Sequence, residues 1–317
     1  MRTVIIGGSG HVGTYLVPRL VEAGFEVIEA SRGKRGPYRP HPAWKDVQNV
    51  RVDRKEEEKA GTFGKLIAGL KPDIVIDMIC FTEESARQLV EALKGSVQHF
   101  LFCGSLWVYG CSTIVPAKEG DPRHPIGEYG IQKARIEDYL IRESRMNRFP
   151  ATVLHPGHIV GPGWVPVNPA GNINTDVFAR IIKGEETALP NFGMETLHHV
   201  HADDVAQIFM QAVLNWSNSA GESFHAVSEA AVTMRGYAEA AYAWFGKEAN
   251  IKFMPWEEWR KTVSKEDAEV TWDHMIHSPN CSIEKAKRLL QYQPRYTSLQ
   301  AIYEAVNRLV ENGTIKR

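Results

Sequence analysis

The 317-residue sequence has no apolar run approaching the ~20 residues that a membrane-spanning helix needs. Its first hydrophobic stretch, Thr3 to Ile6, runs at once into glycines and not into a cleavage site, so a secretory leader is not expected. Cysteine is scarce. The 4 residues, Cys80, Cys103, Cys111 and Cys281, lack metal-ligand spacing and are too few for a disulfide framework in a chain this long. Neither charge sign is in excess: 37 Lys and Arg against 38 Asp and Glu leave a net charge of −1. That balance withholds the basic field of a nucleic-acid binder and the polybasic patch of a membrane-surface protein. Repeats and low-complexity segments are absent as well, which argues against a solenoid. The expectation is a soluble, cytoplasmic protein with no nucleic-acid or membrane partner.

What is present is alternation. Thr3–Ile6, Glu26–Ala30, Val47–Val52, Asp73–Met78, Gln98–Cys103 and Ala151–His155 read as short strands. Between them lie apolar stripes at helical spacing. One runs over His11–Ala23 and is closed by Gly24, another over Ala60–Leu70, and a third includes Ala86, Leu89, Val90 and Leu93. Tyr129–Met146 reads as a long helix. Such βα alternation predicts a doubly wound α/β parallel sheet with helices on both faces. The pattern breaks at Pro156. It resumes with a helix over Asp204–Leu214 and a strand over Ser223–Val227 that can rejoin the sheet. Residues 1–158 and 198–228 are therefore assigned to the sheet domain, and 159–197 and 229–317 to a smaller, discontinuous second lobe.

The turn after the first strand reads Gly7-Gly8-Ser9-Gly10-His11-Val12-Gly13. Glycines spaced Gly7-x-x-Gly10-x-x-Gly13 between a strand and a helix allow a tight turn and close approach to a pyrophosphate at the helix N-terminus. In this βαβ context the turn predicts a nicotinamide dinucleotide, with Gly7, Ser9, Gly10, His11, Val12 and Gly13 against it. At the end of the second strand, where a carboxylate would hold the ribose of NAD, the chain has Ser31 and Arg32, followed by Arg35. An arginine there can receive a 2′-phosphate, so NADP is expected over NAD. Glu29 is the exception: a carboxylate turned into that site would reverse the preference. Asp53, at the end of the third strand, can meet the adenine or simply end the strand.

Tyr129 and Lys133 lie four residues apart on a predicted helix and share one face. An ammonium near a phenol favours the phenolate, which would make Tyr129 an acid or base usable near neutrality. Ser105 follows the fifth strand, at the sheet edge where ligands bind in open α/β folds. Together, Gly7-x-x-Gly10-x-x-Gly13, Ser105 with Val108-Tyr109-Gly110, and Tyr129-x-x-x-Lys133 resemble the extended short-chain dehydrogenase/reductases, and among them the NAD-dependent epimerase/dehydratase family. The resemblance continues through Pro156–Gly163, Val200–Ala206 and Lys285–Pro294, so it covers nearly the whole chain.

That resemblance implies a Rossmann fold and hydride transfer at a hydroxyl or ketone carbon of a sugar-like substrate. Tyr129 would handle the proton, Ser105 would orient the reacting oxygen, and Lys133 would tune Tyr129 and hold the nicotinamide ribose. Ile79, Pro156 and His158 would border the cofactor. Trp107, Trp164 and His199 are candidates for the substrate. A homodimer is expected through the helices Glu83–Leu93 and Tyr129–Met146. Two alternatives are a simple NADPH-dependent carbonyl reductase and a non-catalytic or RNA-associated scaffold that retains the fold. The sequence departs from nucleotide-sugar members at the arginines that hold a diphosphate: Leu197 stands at one position and histidines, His274 and His277, near the other, with Arg260 or Arg295 as substitutes. His198, His199, His201, Asp203 and Asp204 form a cluster with metal-ligand chemistry, although in the family pattern its His-Ala-Asp-Asp segment is structural. His155 and His158 are expected near the nicotinamide.

Overall fold

The computed structural model describes residues 1–316. Its strands are β1 (Arg2–Ile6), β2 (Glu26–Ser31), β3 (Gln48–Arg51), β4 (Ile74–Asp77), β5 (His99–Cys103), β6 (Ala151–Pro156), β7 (His158–Val160), β8 (Thr187–Pro190), β9 (Thr196–Leu197), β10 (His199–His201), β11 (Ser223–Ala226), β12 (Val232–Thr233) and β13 (Ile251–Met254). Seven of them form one sheet in the order β11-β6-β5-β4-β1-β2-β3. Every neighbouring pair in it is parallel. The strand order reverses between β1 and β4, which opens a crevice at their carboxyl ends. β5 and β6 are buried along their whole length, as strands covered on both faces must be.

The helices of the first two thirds of the chain are α1 (Gly13–Glu22), α2 (Arg54–Lys59), α3 (Phe63–Gly69), α4 (Glu83–Leu93), α5 (Gly127–Asn147), α6 (Asp176–Lys183) and α7 (Ala202–Leu214), of which α6 belongs to the second lobe and the others lie beside this sheet. One face of the sheet packs Leu16, Leu20, Val205 and Phe209, and the other packs Phe63, Leu89, Ile136 and Leu140. The α2 helix has no apolar stripe, so hydrophobic periodicity does not reveal it. Asp53 caps it, accepting from the Lys55 backbone N–H at 3.2 Å, and Glu56 and Glu57 complement its N-terminus.

After α7 come α8 (Trp216–Ser219), α9 (Met234–Trp244), α10 (Trp256–Trp259), α11 (Lys265–His277), α12 (Glu284–Leu290) and α13 (Ser298–Glu311). A third core gathers Phe178 of α6 with Tyr237, Trp259, Ile302 and Val306. Strand pairs β7–β10, β8–β13 and β9–β12 stitch this lobe together. Cys281, Ile283, Ala286, Leu290 and Tyr292, inside 229–317, pack with the core beside the large sheet. Their apolar side chains cover β11, where they meet Phe224, and do not join the lobe core.

Candidate active site

The glycine turn is shaped by contacts that leave no room for a side chain. Gly7 has φ +84 and donates its N–H to the Ala30 carbonyl at 2.9 Å, tying the turn to β2. A Cβ on Gly13 would stand 1.8 Å from the Gly8 carbonyl oxygen. The backbone there can approach a ligand closely, at the N-terminus of α1. The turn forms one wall of a groove of about 870 Å³. Gly7, Ser9, Gly10, His11, Val12, Gly13, Ser31, Arg32, Arg35, Asp53 and Ile79, all expected at the cofactor, line that groove. A cradle cleared of Cβ atoms at a helix N-terminus, opening on a groove of that volume, fits a nicotinamide dinucleotide.

Arg32, Lys34, Arg35 and Lys55 give the groove a basic rim, and none has an acidic partner within 4 Å among the described residues. Glu29 does not reach this rim. Its carboxylate is buried beneath the glycine turn, accepting from the Ser9 backbone N–H at 3.1 Å and the Ser31 hydroxyl at 3.0 Å. Among the groove residues that sequence reasoning missed are Tyr38 and Arg54. Tyr38 lies 5.2 Å ring to ring from His11 and 6.2 Å from Trp164, so three aromatic groups from separate segments meet over the turn. Arg54 holds Asp77 at the end of β4 with bonds of 2.7 and 2.9 Å and lines the far wall. No periodic or motif signal marks either one. Trp164, expected at the substrate, belongs to this groove.

Ser105, Trp107, Tyr129, Pro156 and His158 line a second cavity of about 340 Å³ at the carboxyl ends of β5 and β6. Pro156 and His158, expected beside the cofactor, line this smaller space: the chain leaves β6 at Pro156, and the turn carries both into it. Ser105 caps the short 3-10 turn Leu106–Tyr109, accepting from the Trp107 N–H at 3.2 Å, which leaves its own proton free to donate. Tyr129 stands against Trp107, ring to ring 5.8 Å, with 42% of its surface exposed.

Lys133 is buried one turn further along α5. Its ammonium donates to the carbonyls of Cys80 at 2.9 Å and Cys103 at 2.8 Å, bridging the segments that follow β4 and end β5. It lies 5.7 Å from the centre of the Tyr129 ring. The expected depression of the Tyr129 phenol is not seen. Burial pushes that phenol up to about 12, opposed only by its hydrogen bond with Ser105. The ammonium is engaged by two carbonyls, 5.7 Å from the ring centre.

Histidines crowd the side of the cavity away from Tyr129. His158 lies 5.3 Å from His199 and 4.8 Å from His274, ring to ring, and His277 stacks on Trp107 at 4.1 Å. His199 is fully buried behind His158 and does not line the cavity. His155 points the other way, into a buried bond of 2.8 Å with Glu137. The His201–Asp204 segment holds the protein together. The Asp203 carboxylate takes Arg19 and Arg295 at 2.5 and 2.9 Å, and Asp204 accepts the backbone N–H groups of Arg295 and Tyr296. Among the described residues no three His, Cys, Asp or Glu side chains are placed to share a metal ion.

The family model described as the NAD dependent epimerase/dehydratase family matches residues 3–226. The chain belongs to that family. It is an NAD(P)-dependent enzyme of the extended short-chain dehydrogenase type. Among curated relatives, 2'-dehydrokanamycin reductase of Streptomyces kanamyceticus is 28% identical over 87% of this chain and 76% of its own length. Chloroplast stem-loop binding protein of 41 kDa b of Arabidopsis thaliana is 25% identical over 100% of this chain and 81% of its own. The solved structure of a UDP-glucose 4-epimerase of Thermotoga maritima superposes with a TM-score of 0.73 at 20% identity, covering 98% of this chain and 99% of the other. That likeness shows the epimerase-type fold. In this family member Cys103, two residues before Ser105, lines the dinucleotide groove, and its carbonyl holds Lys133.

Proposed function

We propose that this enzyme reduces a ketone carbon of a sugar-like ring to a hydroxyl, with NADP(H) preferred over NAD(H). The observation that carries the reading is the pairing of Ser105 and Tyr129 on one small cavity beside a basic-rimmed dinucleotide groove. The nicotinamide, when bound, supplies the hydride. Tyr129 gives its phenolic proton to the carbonyl oxygen as that oxygen becomes a hydroxyl, and Ser105 steadies the same oxygen with a hydrogen bond. The Tyr129 phenol carries its proton at neutral pH, the form reduction needs. Lys133, donating to the carbonyls of Cys80 and Cys103, would also hold the nicotinamide ribose.

Support for a sugar-like ring comes from the reductase relative, 2'-dehydrokanamycin reductase. Support for NADP comes from Arg32, Lys34 and Arg35 standing unpaired on the rim, and from Glu29 being engaged beneath the turn. The Ser105–Tyr129–Lys133 set argues for catalysis over a scaffold role. Titration of NADPH and NADH against the wild type and Arg32→Ala tests the preference. Arg32→Ala should weaken NADPH about tenfold to hundredfold and leave NADH nearly unchanged. Tighter NADH binding by the wild type would defeat the preference. Sugar interconversion with no net NADPH consumption would replace reduction with epimerisation. Pairing of two copies through α4 and α5 is also proposed, and native mass spectrometry of the purified protein tests it.

A further inference from the structure

One wall of the Ser105–Tyr129 cavity is imidazole, and the proton chemistry above does not use it. His158 lines the cavity, and both of its ring nitrogens are buried without a hydrogen-bond partner. Buried polar groups are ordinarily paired, so an orphaned imidazole on a cavity wall points to a ligand. His274 flanks it at 4.8 Å and His199 backs it at 5.3 Å. Burial, reinforced by the neighbouring imidazoles, holds His158 well below the usual histidine range and His199 down to about 3. A neutral imidazole offers one donor and one acceptor, the complement that a hydroxyl also offers.

No charged side chain lines this cavity. Arg260 and Arg295, the substitutes the sequence offered for a diphosphate clamp, face carboxylates elsewhere, as does Arg235: Arg295 on Asp203 at 2.9 Å, Arg235 on Glu239 at 2.8 Å, Arg260 near Glu257 at 3.5 Å. A diphosphate calls for charge-assisted or bidentate donors, and neutral imidazole supplies neither. At about 340 Å³ the space is also at the small end for a ligand site. A nucleoside diphosphate sugar approaches a dinucleotide in size, and the chain gives its dinucleotide groove about 870 Å³.

We propose that the substrate is a hydroxyl-rich ring bearing no nucleoside diphosphate, and that His158 selects it by hydrogen-bonding one of its hydroxyls. This rests on the hydride-transfer reading. The test uses the full chain loaded with NADPH and offers UDP-glucose, UDP, 2-keto-myo-inositol and 3-keto-glucose. At least one ring ketone should be reduced with NADPH consumption, and neither nucleotide should bind measurably by calorimetry. His158→Leu should raise KM about tenfold while NADPH affinity stays within twofold, and His158→Asn, which restores a donor and an acceptor, should recover most of the loss. UDP or UDP-glucose binding to the NADPH-loaded enzyme overturns the inference alone. So does failure of both ketones while NADPH binds, or an Asn variant no better than the Leu variant. Failure of NADPH to bind overturns the hydride-transfer reading, and this inference with it.

Discussion

Glu29 is the side chain whose replacement tests the cofactor assignment most directly. It is 3% exposed, and its two oxygens are committed to the Ser9 N–H at 3.1 Å and the Ser31 hydroxyl at 3.0 Å. Ser31 Oγ also accepts from the Gly33 N–H at 3.2 Å, so its one proton points down to Glu29 and not out to the rim. Glu29→Gln keeps the shape, which matters because a Cβ on Gly8 would already be 3.0 Å from the Glu29 Cγ. The amide oxygen can still accept from Ser9, and the amide nitrogen now donates to Ser31. The freed serine proton can then turn into the groove toward a 2′-phosphate. A hydrogen bond to a charged group contributes about 1.5–3 kcal/mol, so NADPH should bind at least about tenfold more tightly. NADH, without that phosphate, should change less than about twofold. Two charge-assisted bonds become neutral ones, but a buried charge is removed as well, so stability should move by only about 1 kcal/mol. Fluorescence titration of both dinucleotides, alongside urea unfolding, reads all three quantities. A folded variant whose NADPH affinity is unchanged or weaker would refute the argument that Glu29 holds the serine proton away from the phosphate.

Gly13→Ala places a methyl 1.8 Å from the Gly8 carbonyl oxygen and should lose NADPH binding by at least about a hundredfold and lower Tm, because backbone must move to admit it. Wild-type-like binding would show that the turn is not held as described. Lys133→Met strands the Cys80 and Cys103 carbonyls and should cost about 1–3 kcal/mol for each, with loss of turnover; unchanged unfolding would deny the bridge. Burial lowers His11, His198 and His225 to about 4 and His99 and His199 to about 3, so the unfolded chain takes up protons below its ordinary value of 6.5 that the folded chain refuses. Stability should therefore fall as pH drops from 6.5 toward 4, at up to ~1.4 kcal/mol per pH unit for each such histidine. Urea midpoints that are flat between pH 7 and 5 would contradict this.

The parallel sheet and the glycine turn were legible because their causes are local. Apolar runs of four to six residues separated by helical stripes allow few arrangements other than a doubly wound sheet, and three glycines at fixed spacing mark a backbone that must pass close to itself and to a ligand. Tyr129 and Lys133 were placed on one face by helical geometry alone. The second lobe was far less legible, since its strands are two to four residues long and find partners distant in sequence, as Thr187–Pro190 does with Ile251–Met254.

What only the tertiary structure decided is where side chains from separate segments meet. Spacing on α5 brings Lys133 beneath Tyr129, but the carbonyls of Cys80 and Cys103, 53 and 30 residues away, determine where its ammonium rests. Glu29 lies two residues before Ser31 in any reading, yet its burial under Ser9 is a contact between β2 and the glycine turn. Trp164 lines the dinucleotide groove and His158 the smaller cavity for the same reason. A sequence records each residue's preference for helix, strand or turn, whereas hydrogen-bond partners and cavity walls are set by chain crossings that no local pattern encodes.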